Sequence, residues 1–219
     1  MALSGVLFDF GYTLFAHESL PITIADCARR LGTAIGEDHA TALAARIDAA
    51  AMTPEELRHP RDLDPAVWRE RWKVLYSIAD EAVEGLGGAV HASMHDPTEW
   101  IPFEQTAATL KGLSESGVVV GVISNTGWDV RDVFAAHAMS SFISSFTLSF
   151  EVGAVKPDGE IFRRACSSLG LPPDEVLMVG DDPRSDGGAV MAGIRTLLLP
   201  RPAPGANNGI GTVLRLLLD

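Results

Sequence analysis

The chain has 219 residues, 47% of them hydrophobic and 21% charged. This composition is that of an ordinary globular protein, and the length suffices to bury a core without disulfide or metal staples. Its 17 basic and 29 acidic side chains give a net charge of −12, which argues against nucleic acid and anionic membrane surfaces as partners.

Gly5 to Phe10, GVLFDF, is a short apolar run with Asp9 near its end, and it reads as a buried strand. Residues of about 16–98 then lack any strand signal. They are rich in Ala, Leu, Arg and Glu, and several stretches repeat apolar residues at helical spacing. Trp68, Trp72 and Leu75 fall at i, i+4 and i+7, the spacing of a packed helix face.

Beyond residue 99 the pattern alternates. A helix is predicted over Phe103–Ser116, a strand over Val118–Ser124, a helix over Asp129–His137 and a weaker strand over Phe146–Ser149. A helix over Asp158–Leu169, a strand over Val176–Gly180, a helix over Ser185–Ala192 and a strand over Ile194–Leu199 follow. Pro200 to Gly211 is rich in Pro and Gly and is expected to be an exposed loop. A final helix spans Thr212–Leu218. This order predicts an α/β fold: a doubly wound parallel sheet, with a Rossmann-like core of residues 1–15 and 99–219 and an inserted all-helical cap of residues 16–98.

Cys27 and Cys166 stand far apart and outside any CxxC pattern, the usage of free, buried thiols in a reducing compartment. Met1-Ala2-Leu3-Ser4 lacks the basic start and cleavage site of a secretory signal. No apolar run approaches the roughly 20 residues that span a bilayer. The expectation is a cytoplasmic protein with no membrane partner.

Parallel sheets of this kind bind ligands beyond the C-terminal ends of their strands. Asp9 closes the first strand there, Ser124 and Asn125 the second, and Asp181 and Asp182 the third. Lys156 lies in a loop before a helix. Such residues converge in space although they are far apart in sequence. A carboxylate can act as a nucleophile, and clustered carboxylates can hold a hard cation.

Four segments carry a resemblance. Phe8-Asp9-Phe10-Gly11-Tyr12-Thr13-Leu14, Ile123-Ser124-Asn125, Val155-Lys156-Pro157-Asp158 and Gly180-Asp181-Asp182-Pro183-Arg184-Ser185-Asp186 resemble, in order, the four motifs of the haloacid-dehalogenase-like hydrolases. The resemblance implies a phosphatase acting on a small phosphorylated substrate through an aspartyl-phosphate on Asp9. It also implies Mg²⁺ held by Asp9, the carbonyl of Gly11 and Asp181, with Asp186 holding a metal-bound water. Lys156 would offset the charge of Asp9 and the phosphoryl group. Ser124 and the Asn125 N–H would bind the phosphoryl oxygens. The helical cap would close over the site.

The chain departs from this pattern at one place. The family's second aspartate, its general acid/base, is Gly11 here, and Tyr12 stands where glycine is usual. The exchange suggests that Gly11 adopts a conformation only glycine reaches easily. General acid–base help contributes about 10²–10⁴-fold, so its loss demands an acidic leaving group, a substituting water, or Tyr12, His17 or Glu18 reaching in. Two other readings stand beside the phosphatase. A metal-independent 2-haloacid dehalogenase would use the same aspartate, but its motif places the aromatic residue one position earlier and lacks the paired acids Asp181 and Asp182. A non-catalytic phosphate- or metal-binding protein would account for Gly11. Arg58, Arg61, Arg69 and Arg71 either meet an anionic substrate or solvate a helix face. Trp128 either lines the pocket mouth or packs beneath the following helix. The substrate's identity and the oligomeric state are not encoded in these motifs.

Overall fold

The computed structural model describes residues 3–218. Seven strands are formed: β1 (Gly5–Phe8), β2 (Phe15–Ala16), β3 (Ile101–Pro102), β4 (Val119–Ser124), β5 (Ser145–Leu148), β6 (Val176–Gly180) and β7 (Arg195–Leu198). Five of them make a parallel sheet in the order β5-β4-β1-β6-β7. Side chains alternate across a strand, and β1 shows the consequence. Val6 and Phe8 join one buried cluster with Val120, Val122 and Val179. Leu7 joins the other, with Ile123, Phe162 and Met178. Both faces are apolar because helices cover both. Helices α5 (Thr106–Glu115), α6 (Arg131–Ala136) and α9 (Thr212–Leu218) contribute to the first cluster, and α8 (Gly159–Leu169) to the second. A single turn, α7 (Ser149–Val152), follows β5.

Between β2 and β3 run α1 (Leu20–Arg30), α2 (Glu37–Ala51), α3 (Pro65–Tyr76) and α4 (Leu86–Met94). They enclose their own apolar cluster around Ile24, Leu43, Ile47, Leu75, Leu86 and Val90. β2 and β3 pair antiparallel, Phe15 with Pro102 and Ala16 with Ile101, so the chain leaves for the helices and returns from them side by side. The helices also touch the loop after β4. A Cβ on Gly127 would lie 2.4 Å from Arg61 O and 2.4 Å from Trp68 Cβ, so no larger residue fits there without displacing backbone.

The α/β class and the parallel sheet agree with the sequence reading; several local features differ. β1 ends at Phe8, because residues 10–15 fold into a turn in which Leu14 N–H and Phe15 N–H both donate to Phe10 O. The predicted helix Ser185–Ala192 is a 3-10 turn over Asp186–Ala192. Its first side chain is turned back onto the strand end by two backbone N–H groups. The Pro/Gly-rich loop is not wholly exposed: Asn208 and Ile210 are fully buried, and Asn208 Nδ2 donates to Thr13 O at 2.9 Å. Cys27 and Cys166 are buried free thiols. Among the described residues no helix is long and apolar enough to cross a membrane.

Candidate active site

The register places the chemistry. Phe8 pairs with Val122 on one side and Val179 on the other. The ends of β1, β4 and β6 therefore lie level, and Asp9, Ser124 and Asp181 emerge at one edge of the sheet. Asp9, Gly11, Ser124, Asn125, Lys156, Asp181 and Asp186 all line a single cavity of about 380 Å³. The residues that the sequence reading assigned to the nucleophile, the phosphoryl contacts and the metal are thus brought together.

Lys156 is the hub. Its ammonium donates to Asp9 Oδ1 at 2.5 Å and to Asp186 Oδ1 at 2.6 Å, and its side chain is 2% exposed. The other oxygen of Asp186 accepts the backbone N–H groups of Asp181 and Asp182, each at 3.0 Å. Gly180 makes this possible, since a Cβ there would meet the Asp186 carboxyl at 2.2 Å. Asp181 accepts from Thr13 Oγ1 at 2.9 Å and pairs with Arg201 Nε. Arg201 also lies over the Tyr12 ring, 5.2 Å from its centroid.

The Asn125 side chain has a task the sequence reading did not give it. Its Nδ2 donates to Lys156 O at 2.9 Å and its Oδ1 accepts from Lys156 N at 2.7 Å. The amide thus clamps the lysine loop to the end of β4. Asn125→Ala is expected to cost about 1–3 kcal/mol, because it strands two part-buried backbone groups. Denaturant unfolding checks this; an unchanged midpoint would remove the clamp from the account.

Charge in the cavity is unbalanced. Burial pushes the Asp9 carboxyl up to about 7 despite the pull of Lys156, and Asp186 and Asp181 push the same way. Burial also raises Asp181 against the opposing effects of Thr13 and Arg201. Burial works against the Lys156 charge too, yet Asp9 and Asp186 hold its ammonium above the ordinary lysine value. Oxygens of Asp9, Asp181 and Asp186 lie within 4.8 Å of one another. Three carboxylates share one buried ammonium and one half-exposed guanidinium, and a hard divalent cation with oxygen preference suits such a set.

The structure corrects several expectations. Gly11 is not the residue in the left-handed region; Tyr12 is, at φ 60°. A Cβ on Gly11 would meet nothing within 4 Å. Glycine is therefore not required there by backbone or by space. His17 and Glu18 do not reach the cavity; they line a neighbouring one with Arg30 and Glu99. His17 Nε2 lies 3.2 Å from Ser93 O. None of Arg58, Arg61, Arg69 and Arg71 lines the Asp9 cavity. Arg71 pairs with the buried Glu56, and Arg61 Nη1 lies 3.7 Å from the same carboxylate. Trp68 and Trp72 do line the cavity, as does Trp128. Leu75 is buried in the helical cluster as expected, and Trp72 packs against that cluster with its other surface. Arg201 and the Thr13 hydroxyl were missed. Thr13 lies inside the first motif, but no signal in a Pro-rich loop marks Arg201.

Residues 36–199 match the haloacid dehalogenase-like hydrolase family. A glyceraldehyde 3-phosphate phosphatase of Methanopyrus kandleri is 28% identical over 91% of this chain and 84% of its own length. A phosphoserine phosphatase of Thermus thermophilus is 30% identical over 55% of this chain, and the chain spans about half of that protein's length, 52%. An L-2-haloacid dehalogenase of Xanthobacter autotrophicus superposes over 98% of both chains with a TM-score of 0.68 at 17% identity, a likeness of fold alone.

Proposed function

The chain belongs to the haloacid dehalogenase-like hydrolase family, and on that premise we propose that it is a magnesium-dependent phosphatase of a small phosphomonoester, working through an aspartyl-phosphate on Asp9. The observation that carries this reading is the third carboxylate. Lys156 alone could balance Asp9 in a metal-free nucleophile site, but Asp181 adds a buried charge beside Asp9 and Asp186. Mg²⁺ held by Asp9, the Gly11 carbonyl and Asp181, with Asp186 behind it, would neutralise the cluster and the phosphoryl oxygens.

The chain's own residues have separable tasks. Asp9 presents its carboxylate as the nucleophile at the level end of the sheet. Lys156 favours the ionised form of Asp9 against the effect of burial and is placed to meet a phosphoryl oxygen. Ser124 and the Asn125 N–H line the wall where those oxygens would lie. The Asn125 side chain fixes the lysine loop. Water from solvent completes the hydrolysis of the acyl phosphate. We further propose a cytoplasmic location and a small phosphorylated molecule as the partner; the charge of −12 disfavours nucleic acid.

Gly11→Asp is expected to raise kcat for alkyl phosphates by about 10–100-fold, within the range general acid–base catalysis supplies. The open space beside Gly11 admits the side chain. Steady-state phosphate release checks this. No gain in a folded variant that still binds Mg²⁺ would show that position 11 is not where an acid is missing. The metal-independent dehalogenase is the second reading, favoured by the apolar lining of the cavity. It leaves Asp181 without a purpose, and halide release in the presence of a chelator would establish it.

A further inference from the structure

The cavity above Asp9 is walled with aromatic rings. Helix α3 turns Trp68, Trp72 and Tyr76 towards it at four-residue spacing, and Phe10, Trp100 and Trp128 also line it. The rings are continuous. Trp68 and Trp72 are 5.7 Å apart, and Trp72 stacks on Tyr76 at 5.3 Å. Trp100 lies 6.0 Å from Trp128, and Phe10 lies 4.8 Å from Trp100. From residues 16–98 the only other lining side chains are Met94 and His95. Both nitrogens of His95 are engaged: Nε2 with Trp68 Nε1 at 3.0 Å, and Nδ1 with His91 O at 2.7 Å. Its Nε2 accepts the Trp68 indole N–H and burial lowers its pKa, both of which favour the neutral ring. The helices thus offer the substrate no charge and no carboxamide.

We infer that the preferred substrate is an aryl phosphomonoester, a phenol-type hydroxyl esterified to phosphate and seated among these rings. The inference rests on the phosphatase reading and adds the leaving group to it. Three observations converge. An aromatic ring seated among these side chains gains stacking and edge contacts. A sugar or polyol would set most of its hydroxyls against ring faces, which offer far fewer hydrogen-bond partners than such a substrate carries. Position 11 supplies no acid, and a phenol needs none. Its pKa is about 10, against about 15.7 for water, so it departs as the anion far more readily than an alkoxide.

The steps balance. An Asp9 carboxylate oxygen forms a bond to phosphorus, and the aryl–oxygen bond to phosphorus breaks with its electron pair on the phenolate. The phenolate takes a proton from solvent. Water then adds to phosphorus, the acyl phosphate P–O bond breaks, and the water's proton returns to solvent. Ester and water become phenol and inorganic phosphate, and Asp9 is regenerated.

The test compares kcat/KM for 2-naphthyl phosphate, cyclohexyl phosphate, glucose 6-phosphate and acetyl phosphate, with Mg²⁺ present. Acetyl phosphate has an acidic leaving group but no ring, so it separates leaving-group chemistry from stacking. The expected result is that 2-naphthyl phosphate exceeds the cyclohexyl and sugar esters by at least about 100-fold. Its advantage over acetyl phosphate should fall about tenfold in Trp68→Ala and be largely recovered in Trp68→Phe. Equal or better turnover of the sugar or cyclohexyl ester, dependent on Mg²⁺ and Asp9, would overturn the aryl inference and leave the phosphatase standing. So would a naphthyl-to-acetyl ratio that does not move in folded Trp68→Ala. Hydrolysis of none of the three esters or of acetyl phosphate would overturn both.

Discussion

Replacing Asp9 with Asn is expected to reduce turnover by at least about 10³-fold while leaving the fold intact. The amide has nearly the shape of the carboxylate but cannot open the reaction as a nucleophile. Stability should hold because the charge ledger survives. Lys156 loses Asp9 but keeps Asp186 at 2.6 Å, so no buried charge is left alone. The substitution also removes a carboxylate that burial and its acidic neighbours already push up to about 7. Phosphate release and thermal unfolding, measured on one preparation, separate the two halves of this expectation. Turnover within tenfold of the unmodified protein would remove Asp9 from the chemistry.

Lys156→Met should have the opposite profile and damage both. Removing one partner of a buried ion pair costs about 3–5 kcal/mol, because the remaining charge is neither solvated nor paired. Here two carboxylates lose the ammonium together. Turnover is expected to fall about 10²–10³-fold as the charge facing the phosphoryl group disappears. Unfolding in denaturant, with and without millimolar Mg²⁺, adds a readout independent of catalysis. A cation bound only by the folded state stabilises it by mass action, so Mg²⁺ should recover part of the loss. An unchanged unfolding midpoint without metal would show that the lysine is not what balances Asp9 and Asp186.

The site was more legible in the sequence than its surroundings. Asp9, Ser124, Asn125 and Asp181 could be read because each sits at a strand end or beside one, whereas Lys156 and Asp186 were legible only through the motifs that contain them. A parallel sheet brings those ends level whatever the loops do. The two-residue strands β2 and β3 carry no periodicity long enough to detect, and their pairing depends on a partner more than 80 residues away. The spacing of Trp68 and Trp72 predicts an apolar helix face, but periodicity does not say whether that face meets a core or a cavity. In α3 it meets both. Arg201 is set over Asp181 and Tyr12 by the path of a Pro-rich loop, and that path is fixed by contacts such as Asn208 to Thr13. At Gly11 the reasoning from glycine's freedom chose the wrong residue: the left-handed conformation belongs to Tyr12, and the space beside Gly11 is open.

In the proposed function Asp9, Asp181 and Asp186, whose oxygens lie within 4.8 Å of one another, hold a cation beside the nucleophile. The direct measurement is the simultaneous assay of phosphate release from 2-naphthyl phosphate and halide release from a 2-haloacid, each with Mg²⁺ and with chelator. The account predicts phosphate release that needs Mg²⁺ and no halide release in either condition. Halide release that persists in chelator, with no phosphate release, would contradict it and assign Asp9 to carbon rather than phosphorus.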